Sequence, residues 1–551
     1  MKYIYWSLPL LFLLCAQVKA QPLSGNTPLT KADTLRGMLT PLRTCYDINY
    51  YHLDVKIDPE KREISGSNTF VFTATQDFSR LQFDLFSNLK IDKILYKGGE
   101  LKYTREFNAV FVSFPESIRK GAKEEFQVFY SGKPVVAKKA PWDGGFVFSK
   151  DQSGDPWISV ACQGLGASSW WPNKDHQSDE VDSMLVSIAV PKDLNVVSNG
   201  RLRNIATQSS GYHTYNWIIK NPINNYNVTF YIGKYAHWTD SYNGEKGKLD
   251  IDYWALKADS AQARKHWNQD VKPMLKSFEH WFGPYPFYED GYKLVQAPHL
   301  GMEHQSAVAY GNHFKQGYMG SDLSGTGWGL KFDFIVVHES GHEWFGNNIT
   351  SKDVADMWIH ESFTNYSEAL YLESSYGKEA STAYVKGIRS KIANDIPVIG
   401  IYNVNKEGSG DMYYKGANMI HTIRQLIGND EKFRQLLRGM NKTFYHQTVT
   451  TKQVEDYISN YTGLKLDKIF DQYLRTVKIP VLEYKIVKHQ LSYHWTNVVD
   501  GFEMPVKVSL KPGVYSYIYP SAKWKTTAIQ QADNADLTAD PNFYIQLKKS
   551  E

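Results

Sequence analysis

The run Val336-Val337-His338-Glu339-Ser340-Gly341-His342-Glu343-Trp344 constrains this chain more than any other stretch. It contains the pattern HExxH. On a helix, residues four apart share a face with Cβ atoms about 5–6 Å apart. His338 and His342 then aim two imidazoles at one point, with Glu339 beside it. Imidazole nitrogen suits zinc, and a catalytic zinc takes three protein ligands and keeps a fourth position for water. The third ligand is expected downstream. Glu361, in Trp358-Ile359-His360-Glu361-Ser362-Phe363, opens a second helical pattern and supplies a carboxylate for a His-His-Glu set with one zinc per chain. With 16 His in 551 residues, about half of one His-xxx-His pair is expected by chance, and requiring Glu after the first His cuts that to a few per cent.

A chain of 551 residues exceeds what one core supports, so several domains are expected. Hydrophobic content of 42% and aromatic content of 14% indicate a folded protein. A net charge of +4, spread evenly, gives no argument for nucleic acid or an anionic membrane as a partner. The first twenty residues read as an export signal: Lys2, an apolar stretch around Leu8 to Cys15, then Val18-Lys19-Ala20 before Gln21. The stretch is short for a membrane span, so cleavage is expected over a retained anchor, and a periplasmic or secreted address, bacterial in character, follows. Leu14 stands before Cys15 where lipidation calls for a small residue. Cys45 and Cys162 are too few to make a disulfide framework, and whether they pair is open at this level.

Residues 21–43 read as a polar arm. From Tyr51, the residues Tyr51, Leu53, Val55 and Ile57 alternate with His52, Asp54, Lys56 and Asp58, and short strands continue through Phe70-Val71-Phe72, Leu81-Gln82-Phe83 and Val110-Phe111-Val112. An antiparallel β domain over 44–242 follows. Beyond Asn243-Gly244 the period lengthens, with helices expected at 261–282, 331–344, 361–376, 415–427, 431–440 and 466–477, giving a mainly helical domain over 243–479. Strand alternation returns with Leu482, Tyr484 and Ile486, so residues 480–551 are expected as a small β domain. The fold class is multidomain α+β.

Several stretches resemble one family. Leu300-Gly301-Met302-Glu303-His304 lies upstream of the metal motif, Tyr285-Pro286 sits in a Phe-Gly-Pro-Tyr-Pro-Phe segment, Trp344-Phe345-Gly346-Asn347 follows HExxH, and Tyr413-Tyr414-Lys415-Gly416 comes later. Together with Glu361 they resemble the zinc aminopeptidases of the aminopeptidase N and leukotriene-A hydrolase family, over about residues 50–480. The resemblance implies a thermolysin-like catalytic domain and a peptide substrate with a free N-terminus. It implies that Glu303 grips the substrate's α-ammonium, with Gly301 and Met302 in the same substrate-binding strand. Gln163, in Ala161-Cys162-Gln163-Gly164, matches the second amine-binding position. Tyr413 matches the tyrosine that donates to the developing oxyanion, and Glu339 is the general base.

Two departures stand out. His304 replaces the family's Asn, which puts the first side-chain pocket in question; a metal-ligand role for His304, with His299 or His313, is not expected beside three assigned ligands. Relatives usually carry a large helical C-terminal domain, whereas β character follows Pro480 here, so a more open site is expected. Asp356, Asn365 and Glu368 are equal candidates for orienting the ligands. Rival readings are a zinc endopeptidase, which needs no amine anchor, an epoxide hydrolase on the same scaffold, and an exported peptide-binding protein without catalysis.

Overall fold

The computed structural model describes residues 28–511, 513–530 and 535–550. The leader expected over residues 1–20 lies outside the described residues. The arm enters as the helix Lys31–Gly37, whose Thr30 and Asp33 form a reciprocal capping box.

The alternation from Tyr51 is that of the strand Tyr46–Asp58, where Tyr51, Leu53, Val55 and Ile57 are buried. It pairs antiparallel with Glu63–Ala74 (Leu53 opposite Asn68) and parallel with Ser183–Pro191 (Leu53 opposite Val186), so the β domain is not purely antiparallel. These strands sit inside an eight-stranded sheet running 201–207, 212–219, 183–191, 46–58, 63–74, 123–132, 89–96, 99–100. Phe70, Phe72 and Phe126 of that sheet meet Phe78 and Phe83 of a three-stranded sheet; Phe70 stacks on Phe126 at 4.4 Å and meets Phe83 at 5.4 Å. Aromatic pairs of this kind are each worth about 0.5–1.5 kcal/mol beyond area burial. A third sheet, 195–198, 230–233, 156–161, 145–150, faces the next domain. Its strand Pro156–Ala161 leads directly into Gln163, and the turn Asn225–Asn227 precedes its strand Phe230–Gly233.

The strands Tyr235–Gly244 and Gly247–Leu256 pair with each other, and the second pairs parallel with Tyr292–Gln296. The change of sheet therefore falls at Lys234, ahead of the 242/243 boundary expected from the sequence. The expectation followed the change in periodicity, which comes only at the helix Ser260–Phe282. That helix, the helix Phe334–Gly341 and the helix Trp358–Tyr376 enclose the metal motif. Every residue from Trp358 to Leu372 is buried, so up to its last turn this helix is surrounded on all sides and has no solvent-facing side to read. The helix expected over 331–344 is shorter at both ends, because Asp333 caps it and the chain turns after Gly341. Two further helices, Lys378–Gly387 and Thr451–Thr462, were not expected.

Two sheets close the chain, 525–528/490–496/481–487/546–549 and 514–518/506–511/538–539. Leu482, Trp495 and Phe543 share one apolar core with Phe470 and Tyr473 of the helical domain. Tyr473 Oη donates to the Tyr544 carbonyl at 2.6 Å, and Arg389 Nη1 to that of Pro541 at 2.7 Å. Met302, Ala307 and Ala309 join the core of the N-terminal β domain instead. The Gly301–Met302 strand is thus wedged between the two large domains.

Candidate metal centre and substrate cleft

Asp333 starts the metal helix: its Oδ1 accepts from the Ile335 and Val336 N–H groups at 3.0 and 3.3 Å. One turn later His338 and His342 face each other, with ring centroids 5.0 Å apart and planes at 81°. Glu361, in the first turn of the helix Trp358–Tyr376, brings Oε2 to 3.7 Å from His338 Nε2 and 3.4 Å from His342 Nε2. The three donors lie within 4.8 Å of one another.

Each imidazole is oriented through its other nitrogen. His338 Nδ1 lies 2.7 Å from Glu368 Oε1, which also accepts from Asn365 Nδ2 at 2.9 Å, while Tyr384 Oη donates to Glu368 Oε2. His342 Nδ1 lies 2.9 Å from the Phe345 carbonyl. A proton on each Nδ1 leaves both Nε2 lone pairs directed at Glu361, the arrangement of a metal site with an outer hydrogen-bonded layer. Of the three candidates for this role, Glu368 performs it and Asn365 braces Glu368. Asp356 is turned away to Tyr402 Oη and Thr451 Oγ1, each at 2.6 Å.

Glu303, Glu339 and His342 meet the same distance limit. The first set fits a cation better. Glu361 Oε2 is buried without a hydrogen-bond partner, whereas Glu303 is already engaged. Two imidazoles and a carboxylate are the donor chemistry zinc prefers. Without a cation these donors hold protons among themselves. Burial lowers the affinity of His342 for a proton, but Glu361 and Glu303 outweigh it and bring the imidazole up to about 9. Binding a cation displaces that proton.

Glu339 projects toward Gly301. A Cβ on residue 301 would stand 2.6 Å from Glu339 Oε1, so glycine is required for the strand to approach this carboxylate. Burial, with Glu303 adding, pushes the Glu339 carboxyl up to about 7, against His338 and His342.

Glu303 is gripped from the other domain. Its Oε1 accepts from Gln163 Nε2 at 2.6 Å and from Tyr226 Oη at 3.1 Å. Its carbonyl accepts from Asn347 Nδ2 at 2.8 Å, and Asn347 Oδ1 accepts from Asn227 Nδ2 at 2.7 Å. Gln163 spends its amide N–H on Glu303 and keeps Oε1 as an acceptor. Nothing in the sequence distinguishes Tyr226 from the other tyrosines.

Tyr413 precedes the helix Tyr414–Ile427 and lies with its ring 6.1 Å from that of His338. Burial, with Glu361 adding, holds its hydroxyl well above the usual phenol range, so it stays a donor. The residues after it are structural: Lys415 Nζ donates to the Thr476 carbonyl at 2.8 Å, and a Cβ on Gly416 would meet Ser362 Oγ at 1.8 Å.

His304 is fully buried and turned into the domain interface, where its Nδ1 lies 2.7 Å from Tyr231 Oη. Neither it nor His299 or His313 belongs to a metal-ligand group among the described residues. Met302 packs in the interdomain core at 5% exposure. Cys45 and Cys162 are both free and buried.

Residues 269–473 match the Peptidase family M1 domain. The chain is 22% identical over 449 residues to leukotriene A-4 hydrolase of Xenopus laevis, covering 77% of this chain and 69% of that protein. It is 24% identical over 312 residues to aminopeptidase N of Lactobacillus helveticus, covering 52% of this chain and 35% of that protein. It spans about a third of the length of that aminopeptidase N. An M1 zinc metallopeptidase from Deinococcus radiodurans, solved with a Tyr-Ser-Ala substrate, shares the fold with a TM-score of 0.65 at 20% identity, over 79% of this chain and 95% of that one.

Proposed function

We propose that this chain, whose residues 269–473 carry the Peptidase family M1 domain, is a zinc aminopeptidase that hydrolyses the first peptide bond of peptides. The observation that carries this reading is the position of Glu303. Its carboxylate, braced by Gln163 and Tyr226 from the neighbouring domain, shares a 4.8 Å group with Glu339 and His342. A carboxylate fixed beside His342 of the His-His-Glu set measures off one residue from a free α-ammonium. An endopeptidase has no use for it.

His338, His342 and Glu361 would hold the zinc, which supplies Lewis-acid polarisation of a carbonyl and makes water acidic near neutral pH. Glu303 and Gln163 Oε1 bind the ammonium and set the register. Glu339 accepts a proton from the attacking water on its carboxylate and returns it to the departing amine nitrogen. Tyr413 Oη donates to the carbonyl oxygen as it becomes negative. Tyr413→Phe is therefore expected to lower kcat by about 10²–10³ with little change in KM, checked by steady-state kinetics on an aminoacyl amide.

A synthetic pentapeptide with a free N-terminus, followed by mass spectrometry, tests the reading. A ladder of products shortened one residue at a time from the N-terminus is expected; internal cuts as first products would overturn it. Export also belongs to the proposal. It is supported by Lys2, the apolar stretch and Ala20, and a mature N-terminus other than about Gln21 would contradict cleavage. No helix among the described residues is long and apolar enough to cross a membrane.

A further inference from the structure

The N-terminal arm touches both large domains beside the cleft. Its helix Lys31–Gly37 has only seven residues, too few to be stable alone, and its last carbonyls are taken up by side chains from outside it. The Leu35 carbonyl accepts from Gln82 Nε2 at 2.9 Å and the Gly37 carbonyl from His176 Nε2 at 3.2 Å. Arg43, fully buried, donates through Nη1 to the Arg36 carbonyl and through Nη2 to Asp84 and to the Asp175 carbonyl, the last at 2.9 Å. The helix is therefore seated on the β domain by its C-terminal end. Its other neighbour is the catalytic domain: a Cβ on Gly37 would overlap the backbone of Val404 and Asn405. That loop is tied in turn by the Gly400 N–H to the Ala355 carbonyl at 2.9 Å and by the Asn403 N–H to Asp353 Oδ2 at 3.0 Å, just ahead of the helix that bears Glu361.

At this junction the arm meets the turn that carries Gln163. The turn is closed by the Leu165 N–H on the Gln163 carbonyl at 2.7 Å and the Gly166 N–H on the Cys162 carbonyl at 2.6 Å, with Gly164 and Gly166 at positive φ, 71° and 107°. Two glycines leave such a turn pliable. Its brace comes from outside: the Arg36 guanidinium occupies the place that a side chain on Gly166 would take. Arg36 Nε lies 3.6 Å from Asp175 Oδ2, which also accepts from Ser168 Oγ at 2.6 Å. From the catalytic domain, Asn405 Nδ2 lies 3.5 Å from the Gly164 carbonyl. Arg36, Gly37, Gln163, Gly164 and Tyr226 share the lining of a cavity of about 30 Å³, space on the scale of a single water, so the turn has little room to shift. Neither Glu303 nor any of the three metal ligands lines it, which puts the arm behind Gln163 rather than on the substrate's side.

We propose that the arm is a clamp on this turn, with Arg36 as the positioning residue that fixes Gln163. In the aminopeptidase reading, on which this inference rests, Gln163 has two tasks: it braces Glu303 and offers Oε1 to the substrate's ammonium. Both need one orientation of the side chain, and a displacement of about 1 Å at such an anchor costs up to about 10²-fold in rate. Arg36 touches neither substrate nor metal and acts through the backbone of the turn. Amine recognition thus depends on a segment that precedes the first strand of the β domain.

The test is a double-mutant cycle on Arg36→Ala and Gln163→Ala, read as kcat and KM for whichever of the alanine, leucine, arginine and phenylalanine amides the wild type cleaves best. Arg36→Ala is expected to raise KM by about tenfold with kcat within about twofold of the wild type, since it loosens the binding of the ammonium. In the Gln163→Ala background the same substitution is expected to add nothing, because the residue it acts through is gone. A purely structural role would lower the melting temperature and leave KM unmoved. The cycle is repeated with Arg36→Lys, which keeps a cation for Asp175 but not the flat guanidinium, so the outcome does not depend on one variant folding; its KM is expected between those of the wild type and Arg36→Ala. An unchanged KM in the Arg36 variants, or KM effects that multiply in the double variant, overturns the clamp and leaves the aminopeptidase reading standing. A wild type that cleaves none of the four amides overturns both.

Discussion

Glu339→Gln is expected to lower kcat by about 10²–10⁴, the usual contribution of a positioned general base, while the purified variant keeps one zinc per chain. The amide is nearly the size of the carboxylate, and size matters because Glu339 Oε1 lies against Gly301. What the substitution removes is the ability to accept a proton. His338, His342 and Glu361 keep their geometry, which depends on Glu368, Phe345 and the helix Trp358–Tyr376. Burial raises the Glu339 carboxyl to about 7 in the metal-free protein. A carboxyl raised in the folded state opposes folding once pH exceeds its unfolded value, and most above the folded one. The neutral variant is therefore expected to melt no lower than the wild type at pH 8 when both are stripped of metal. Zinc analysis, kinetics and a thermal melt separate these expectations. Loss of metal together with activity would mean that Glu339 serves the metal site rather than the proton.

Glu303→Ala is expected to reduce kcat/KM on free-terminus substrates by a factor of roughly 30 to several thousand, the 2–5 kcal/mol lost when one partner of a buried charge pair is removed. The fold should survive, because the Glu303 main chain remains tied to Asn347. Gln163 Nε2 and Tyr226 Oη would lose their shared acceptor, which adds a desolvation cost to the free enzyme. Glu303→Gln is the control: it restores an acceptor for those donors but not the charge. Activity that recovers only in part in the Gln variant would separate the ammonium contact from the support of the cleft wall.

How far the sequence anticipates this site depends on whether a residue acts through local spacing or through a long-range contact. The four-residue spacing of His338 and His342 fixes their shared face before any tertiary structure is known. Glu368 was also within reach, since it lies seven residues, two helical turns, after Glu361 on one helix. The sequence leaves it level with Asp356, because it does not tell which face of a helix buried all round over Trp358–Leu372 looks inward. Tyr226 carries no such signal. It reaches the cleft through a contact with Glu303 across more than seventy residues of chain. The same distinction explains where the sheet changes. The strands at 235–256 have ordinary two-residue periodicity, and only their parallel pairing with Tyr292–Gln296 assigns them to the second sheet. Thr450 and Gln453 form a capping box that announces the helix Thr451–Thr462 in the sequence itself.

The central claim is that this cleft reads a free N-terminus, and the most direct measurement is kcat/KM for one good aminoacyl amide beside its N-acetylated form, on wild type and Glu303→Ala. The account predicts hydrolysis of the free form by the wild type, none measurable for the acetylated form, and loss of most of that difference in the variant. Equal hydrolysis of both forms by the wild type would contradict it, because an acetylated amine has no charge for Glu303 to hold.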